Sequence, residues 1–592
     1  MKHTYKSGLI GNCAYIAHIH EDSNINWLCW PKFDSTFVFG ELIAGEKGGR
    51  FAFTPQKEVL DKKQYYIDNT NVLVSEFKTE DGAYRVTDFA PRFQQYDRYF
   101  KPLMIIRKIE AVEGEPSLKL DCTPVGDYGE QKLKGEQGSN HIKFIGHQSE
   151  IRLTSNIPFT YINEDKYFVL NETMYAVLSF GTPLEASLID TCEAFLSKTL
   201  QYWKRWTKTM GIGNFMQDSV IRSSLVLKLH QYEDTGAVIA ASTTSLPESP
   251  GSGRNWDYRY CWMRDTYYTL NAFNNIGHFE ELEKYFQFIA NISVSEDGRF
   301  QPLYSIRGAS DIVEKELPLD GYLGNQPVRL GNQAHEHIQN DVYGQVLVTL
   351  LPLYIDSRFS VGERIGSRKL VMLLLKKIED TMDQKDAGLW EFREMAHYHC
   401  YTYLFHWAGA SAAGKIGSYL GDAVMLEQAS RLKKIAAAKI EECYDEERGV
   451  YTHAIGSPHL DASTLHLITM NYLDPDSERA RKHLSVLESE LKTEEGLFYR
   501  YRHADDFGEP ETTFLICAYW YVEALAAVGR IEEAKEIFEN ILRYTNHVGL
   551  LSEDVDAATG SQWGNFPQAY SHVGLVNAAS RIANKLDKPA FL

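Results

Sequence analysis

Over the first 190 or so residues, short runs of β-branched and aromatic side chains are separated by Gly, Asp and Asn turns. Residues 72–77 (VLVSEF) and 174–180 (MYAVLSF) are two such runs, and 80–82 (EDG) and 112–114 (VEG) are turn signals. Many short strands at close spacing predict an antiparallel β-sandwich. Near residue 190 the period changes. Across 191–210, Phe195, Leu196, Leu200 and Trp203 fall on or near one face of a helix. From about 216 onward the pattern is helical, in stretches near 216–232, 264–276, 279–291, 335–356, 361–380, 400–414, 423–444, 461–470, 477–489, 510–528, 531–545 and 566–585. Two kinds alternate late in the chain. Residues 514–528 are almost wholly apolar, as in a helix buried on most sides. In 531–542, by contrast, Ile531, Ala534, Ile537, Phe538, Ile541 and Leu542 form one stripe against Glu and Lys. Such alternation fits two concentric layers of helices; an irregular helical domain fits the pattern too. The expected organisation is multidomain: a β-sandwich over 1–190, a helical linker over 191–215 and an all-α domain over 216–592.

Composition narrows the function classes. The 592 residues carry 61 Lys and Arg against 80 Asp and Glu, a net charge of −19. An acidic surface repels phosphate backbones, which argues against a nucleic-acid partner. No run of about eighteen apolar residues occurs, so no membrane span is expected. The N-terminus lacks a clean apolar signal-peptide core, and none of the eight cysteines is spaced as C-x-x-C. Buried thiols in a cytoplasmic protein are therefore the expectation. Nothing in the sequence fixes an oligomeric state, and a homo-oligomer is compatible with it. Aromatics make up 12% of the chain; such rings pack cores and also stack on flat neutral ligands.

Three segments carry candidate chemistry. Residues 253–265 (GRNWDYRYCWMRD) put three arginines, two aspartates and four aromatics within thirteen positions. Aromatic faces stack on sugar C–H faces, while Arg and Asp hydrogen-bond ring hydroxyls. A buried ion-pair network accounts about as well for any single residue there. In 386–394 (DAGLWEFRE), Glu391 follows Trp390. A carboxyl in an apolar setting has a raised pKa, which suits a general acid, although a Glu of this kind is more often a surface residue. In 549–556 (GLLSEDVD), three acids in four residues offer a base, or merely a solvated loop. The pairs His335/His337 and His397/His399 lack the i, i+4 spacing of a helical zinc site, so no metal is expected.

Taken in order, these segments resemble glycoside hydrolase family fifteen, the glucoamylase-like inverting α-glucosidases and the related trehalases. The resemblance covers nearly the whole chain, from 8–12 (GLIGN) and 27–34 (WLCWPKFD) through 243–248 (TTSLPE), 254–265 and 327–332 (PVRLGN) to 388–391 (GLWE), 551–553 (LSE) and 564–569 (GNFPQA). It implies an N-terminal β-sandwich, a helical linker and an (α/α)6 toroid. It also implies that Glu391 is the general acid and Glu553 the general base. Arg264 and Asp265 would bind the terminal glucose, Tyr258 would help hold the nucleophilic water, and Trp262 and Trp390 would be pocket aromatics. A further pocket arginine is Arg500 or Arg502. An inverting pair stands about 6.5–9.5 Å apart to admit a water, and needs neither metal nor organic cofactor. The implied activity is an exo-acting α-glucosidase of glucoamylase type on α-glucan ends, with trehalase on the same scaffold, or a non-catalytic sugar-binding relic, as alternatives. The chain departs from the family pattern at 509–513 (EPETT), where a Gly-rich stretch is usual, and at His337, where Gln is common. Both lie where loops shape the substrate site.

Overall fold

The computed structural model describes residues 2–181, 183–184, 186–295, 300–359 and 368–586. The N-terminal part is antiparallel β. An eight-stranded sheet runs in the order Lys134–Gln137, His141–Ile145, Ile151–Ser155, Met174–Phe180, Met104–Gly114, Gly82–Phe89, Leu73–Thr79, Val59–Tyr66. A four-stranded meander (Ser7–Gly11, Ile16–His20, Ile25–Cys29, Phe37–Phe39) and a three-stranded sheet accompany it. The strand Met174–Phe180 and the first half of Met104–Gly114 are buried on both faces. Ile105, Ile109, Ala176 and Leu178 join the main core. Met104, Ile106, Tyr175 and Val177 face a separate cluster containing Cys192, against which Phe195, Leu196 and Leu200 pack. The linker helix Leu188–Lys208 is thus clamped to the sheet by its apolar stripe, and two-sided burial explains why 174–180 reads as a continuous apolar run.

Twelve helices follow among the described residues: α1 (Gln217–His230), α2 (Met263–Asn275), α3 (Phe279–Ser295), α4 (Asp341–Ile355), α5 (Arg368–Thr381), α6 (Cys400–Leu420), α7 (Ala423–Glu441), α8 (His466–Thr469), α9 (Glu478–Leu491), α10 (Leu515–Ala527), α11 (Ile531–Leu542) and α12 (Ala569–Leu586). The even-numbered helices form a closed inner ring: α2 packs on α4, α4 on α6, α6 on the 3-10 turn Ala462–Leu465 that leads into α8, α8 on α10, α10 on α12, and α12 on α2. The odd-numbered helices lie outside them, with α1 against α12 and α11 against α10. Burial follows the two sequence patterns. Every residue of α10 is buried, whereas α11 buries only Ala534, Ile537, Phe538 and Ile541. Close approach in the inner ring needs small residues. A Cβ on Gly344 of α4 would sit 2.0 Å from the Phe405 carbonyl oxygen of α6, and one on Gly409 would sit 2.6 Å from Gly344 Cα.

Three helical stretches differ from expectation. The 335–356 stretch breaks into a 3-10 turn, Gln333–Glu336, and α4, because Asn332 caps the turn and His337 is extended. The 461–470 stretch shrinks to the 3-10 turn plus one turn of helix, ended by Asn471 in left-handed conformation. The 510–528 helix starts at Leu515, since Thr513 and Phe514 pair instead with Val555 and Asp554. Residues 361–367 and 297–299, parts of an expected helix and loop, lie outside the described residues. All eight cysteines are buried thiols. No helix among the described residues is long and apolar enough to cross a membrane.

Candidate active site

Each inner helix is entered at its N-terminus through a loop, and the loops before α2, α4, α6, α10 and α12 build one pocket. Its wall includes Tyr258, Trp262, Arg264, Asp265, Trp390, Glu391 and Arg500, together with Glu248, Arg254, Trp256, His337, Arg393, Phe507, Gln568 and Tyr570. Helix N-termini carry partial positive charge, so those of α2, α4, α6, α10 and α12, converging here, favour the acidic side chains gathered there.

Glu391 sits on the loop before α6, in left-handed backbone conformation (φ 64°). A non-glycine residue held so costs about 1–3 kcal/mol, and the loop is tied accordingly. Asp386 accepts from the Asn340 and Gly388 amides and from the Thr402 hydroxyl. The Phe392 amide donates to Ala387 O at 3.1 Å. Asp506 accepts from the Arg393 amide at 2.5 Å and the Glu394 amide at 3.3 Å. Glu391 Oε1 accepts from Trp262 Nε1 at 2.6 Å and Gln339 Nε2 at 3.2 Å, and lies 3.5 Å from Arg264 Nη1. Trp390, its neighbour, donates to Asp461 at 2.6 Å.

Glu553 is buried, on the loop before α12. Its Oε1 accepts from the Tyr258 hydroxyl at 2.8 Å and its Oε2 from the Asn565 amide at 3.0 Å. Burial, then the neighbouring Glu248 carboxylate, pushes its pKa above the usual range, while the Tyr258 hydrogen bond pulls it down. Glu553 stands behind Tyr258, which supplies the pocket wall. Gly564 (φ 75°) makes room for it: a Cβ there would lie 2.5 Å from Glu553 Oε2. The two glutamates do not touch. Glu391 holds Trp262, Trp262 packs edge-on against Tyr258 at 5.4 Å, and Tyr258 holds Glu553.

Arg264 and Asp265 occupy the first turn of α2. Arg264 Nη1 donates to Leu389 O at 2.6 Å, and Nη2 lies 3.4 Å from Asp265 Oδ2. Burial pushes the Asp265 carboxyl up to about 6, against the pull of Arg264. Arg264 Nε and Asp265 Oδ2 are buried without a hydrogen-bond partner among the described residues. Orphaned polar atoms in a pocket wall are groups that ligand hydroxyls satisfy.

Of the two alternatives in 499–502, the structure places Arg500 in the wall, donating to Glu248 at 2.5 Å. Arg502 stands outside the pocket, exposed, its guanidinium 4.9 Å from the Tyr499 ring. Sequence reasoning gave no role to Glu248, which anchors both Arg500 and Trp256, or to Gln339. Glu248 closes the quoted 243–248 segment, so a signal existed; for Gln339 there was none.

A closed ring of paired helices, with Glu391 in the pocket wall and Glu553 behind it on the far side of an aromatic pair, fits a glycoside hydrolase. The comparisons narrow this. Residues 214–580 match the model of glycosyl hydrolases family 15, and residues 3–177 match a trehalase-like N-terminal domain. A trehalase of Thermoplasma volcanium is 31% identical over 98% of this chain and 94% of its own. A trehalase of Thermoplasma acidophilum is 31% identical over 96% of this chain and 97% of its own. The structure of a bacterial glucoamylase complexed with acarbose superposes with a TM-score of 0.70 at 17% identity, over 99% of this chain and 95% of that one. The chain belongs to glycosyl hydrolases family 15.

Proposed function

We propose that the protein is a trehalase, hydrolysing α,α-trehalose with inversion. The observation that carries this reading is the likeness to trehalases along both the β and the helical parts of the chain. The glucoamylase-type activity that the family motifs suggest first gains little from the likeness to a glucoamylase structure, which at 17% identity supports the fold alone. A sugar-binding relic has no use for two separated carboxyls, each tied to an aromatic donor.

In this reading Arg264 and Asp265 hold the hydroxyls of one glucose, and Trp262 and Tyr258 line its faces. Glu391 gives a proton to the glycosidic oxygen. Its Oε1 is occupied by Trp262 and Gln339, while Oε2 has no protein hydrogen bond among the described residues and is left to carry that proton. Glu553 takes a proton from a water that Tyr258 helps to hold, and the water attacks the anomeric carbon on the face opposite the leaving oxygen. No glycosyl-enzyme forms. The attacked glucose leaves as the β-anomer and the other keeps its α-configuration.

The test is proton NMR of the anomeric signals before mutarotation, with trehalose, maltose, isomaltose and maltotriose as substrates. Trehalose should be the preferred substrate and should give α- and β-glucose in equal initial amounts. Release of α-glucose alone rules out inversion, and turnover of maltotriose without trehalose rules out the trehalase.

A further inference from the structure

The outer half of the pocket has a wall of its own. Of the lining residues, Phe507 alone is exposed, so it marks the mouth. It sits at the tip of a tight turn in which the Asp505 and Gly508 amides each donate to the other's carbonyl at 3.2 Å. The turn is pinned from three sides. Arg254 donates to Asp505 at 2.5 Å and to Gly508 O at 2.7 Å, the Tyr501 hydroxyl donates to Asp505 at 2.5 Å, and Asp506 holds the two amides that follow the acid loop's Phe392. The Phe507 ring packs edge-on against Trp256 at 5.0 Å. The Arg393 guanidinium lies 4.6 Å from Trp256 and 5.3 Å from Phe507, and Gln333 and Glu314 fix its nitrogens.

These contacts make a rigid rim, two rings and a guanidinium, immediately outside the acid. In the trehalase reading the inner half, around Asp265, would take one sugar, and the space between Glu391 and the rim would take the sugar that leaves. A third sugar has to pass Phe507. We propose that the Asp505–Gly508 turn ends the pocket after its second sugar, and that Phe507 is the residue that excludes longer α-glucans. This rests on the trehalase reading, and it assigns the selection of a disaccharide to one side chain at the mouth. Trp256 and Arg393 then contact the leaving glucose, the ring through its C–H face and the guanidinium through hydroxyls.

The experiment compares kcat/KM on trehalose and on maltotriose for the wild-type chain and for Phe507→Ala, with thermal unfolding as the check on folding. The wild type should favour trehalose. Phe507→Ala should lower the trehalose-to-maltotriose ratio at least tenfold, through a higher KM for trehalose and new turnover of maltotriose. A ratio shifted by less than tenfold in the folded variant overturns the assignment while leaving the trehalase reading intact. If Phe507→Ala does not fold, the same measurement on Phe507→Leu decides. A wild-type chain that turns over maltotriose and not trehalose defeats the reading itself, an outcome visible before any variant is made.

Discussion

Glu553 meets two demands that oppose each other. As the proposed base it would have to be ionised to take a proton from water, yet burial and Glu248 favour its protonated form. The Tyr258 hydroxyl, 2.8 Å away, offsets part of this by stabilising the carboxylate. The sign follows for the enzyme's pH profile. A base with a raised pKa loses its charge, and the rate falls, as pH drops through that raised value, so the acidic limb of kcat/KM should lie above the ordinary glutamate range. Tyr258→Phe removes the one side-chain donor to Oε1, so its limb should move to still higher pH, with a smaller loss at the optimum than Glu553→Gln produces. A limb that stays in place in Tyr258→Phe would show that the hydroxyl does not tune the base. The residue scale is also where the sequence was least legible. Residues 499–502 alternate Tyr and Arg, and an alternating pattern gives both arginines the same claim. What separates them is Glu248, 252 positions away in the chain, which holds Arg500 in the wall and gives Arg502 nothing.

The loops entering the inner helices are elements in their own right, and the acid loop has an unusual backing. Behind Phe392 stand His397, His399, His453, His459 and His503, with neighbouring rings between 4.4 and 6.0 Å apart. Burial, then His503 and His397, pushes His453 down to about 3. A histidine depressed in the folded state and near 6.5 when unfolded binds its proton only on unfolding. Its neutral form is therefore compatible with the fold above pH 6.5, and stability is lost progressively as pH falls from about 6.5 toward 3. Asp386, raised to about 7 by burial and Asp341, acts oppositely, since its contribution is lost as pH rises. His453→Asn leaves Asp386 in place and should make the fall in stability between pH 6 and 4 shallower by about 1.4 kcal/mol per pH unit. Urea midpoints at pH 7, 6, 5 and 4 measure this, and a slope equal to wild type would remove His453 from the cluster's acid sensitivity. The helices themselves were readable because a stripe such as that of 531–542 has a period. The shortness of α8 within the expected 461–470 stretch was not, because its burial comes from tertiary packing, and neither was the start of α10, where Thr513 and Phe514 pair with the Glu553 loop. The histidine cluster assembles residues from three separate loops, so it shows in the sequence only as the pair His397/His399.

At the scale of the whole molecule, a buried charge network joins the three parts of the chain. Lys228 of α1 is almost wholly enclosed, 3.0 Å from Glu281 and 3.7 Å from Glu233. Arg92, from the β part, meets Glu233 at 2.5 Å, and Trp206 of the linker helix donates to Glu281 at 3.0 Å. Lys284 of α3 also pairs with Glu233. Burial opposes the Lys228 charge, but Glu281 and Glu233 more than offset it, so the ammonium is held charged. Such a network adds little over a well-packed apolar core of the same shape, yet losing one member leaves an uncompensated charge, which costs about 3–5 kcal/mol. Lys228→Met should therefore destabilise the protein by about that amount, although it lies outside the pocket wall and should leave kcat/KM close to wild type below the unfolding transition. The double variant Lys228→Met, Glu281→Gln separates the two physical accounts. If the loss comes from an orphaned carboxylate, removing that charge restores part of the stability, and the double variant is more stable than Lys228→Met alone. If the Trp206 N–H already stabilises the carboxylate well enough, the second substitution only exchanges a charge-assisted hydrogen bond for a weaker neutral one, and the double variant gains nothing over Lys228→Met. Chemical unfolding of the wild type, both single variants and the double variant completes the cycle. A double variant less stable than Lys228→Met would show that an uncompensated Glu281 charge is not what the lysine substitution costs.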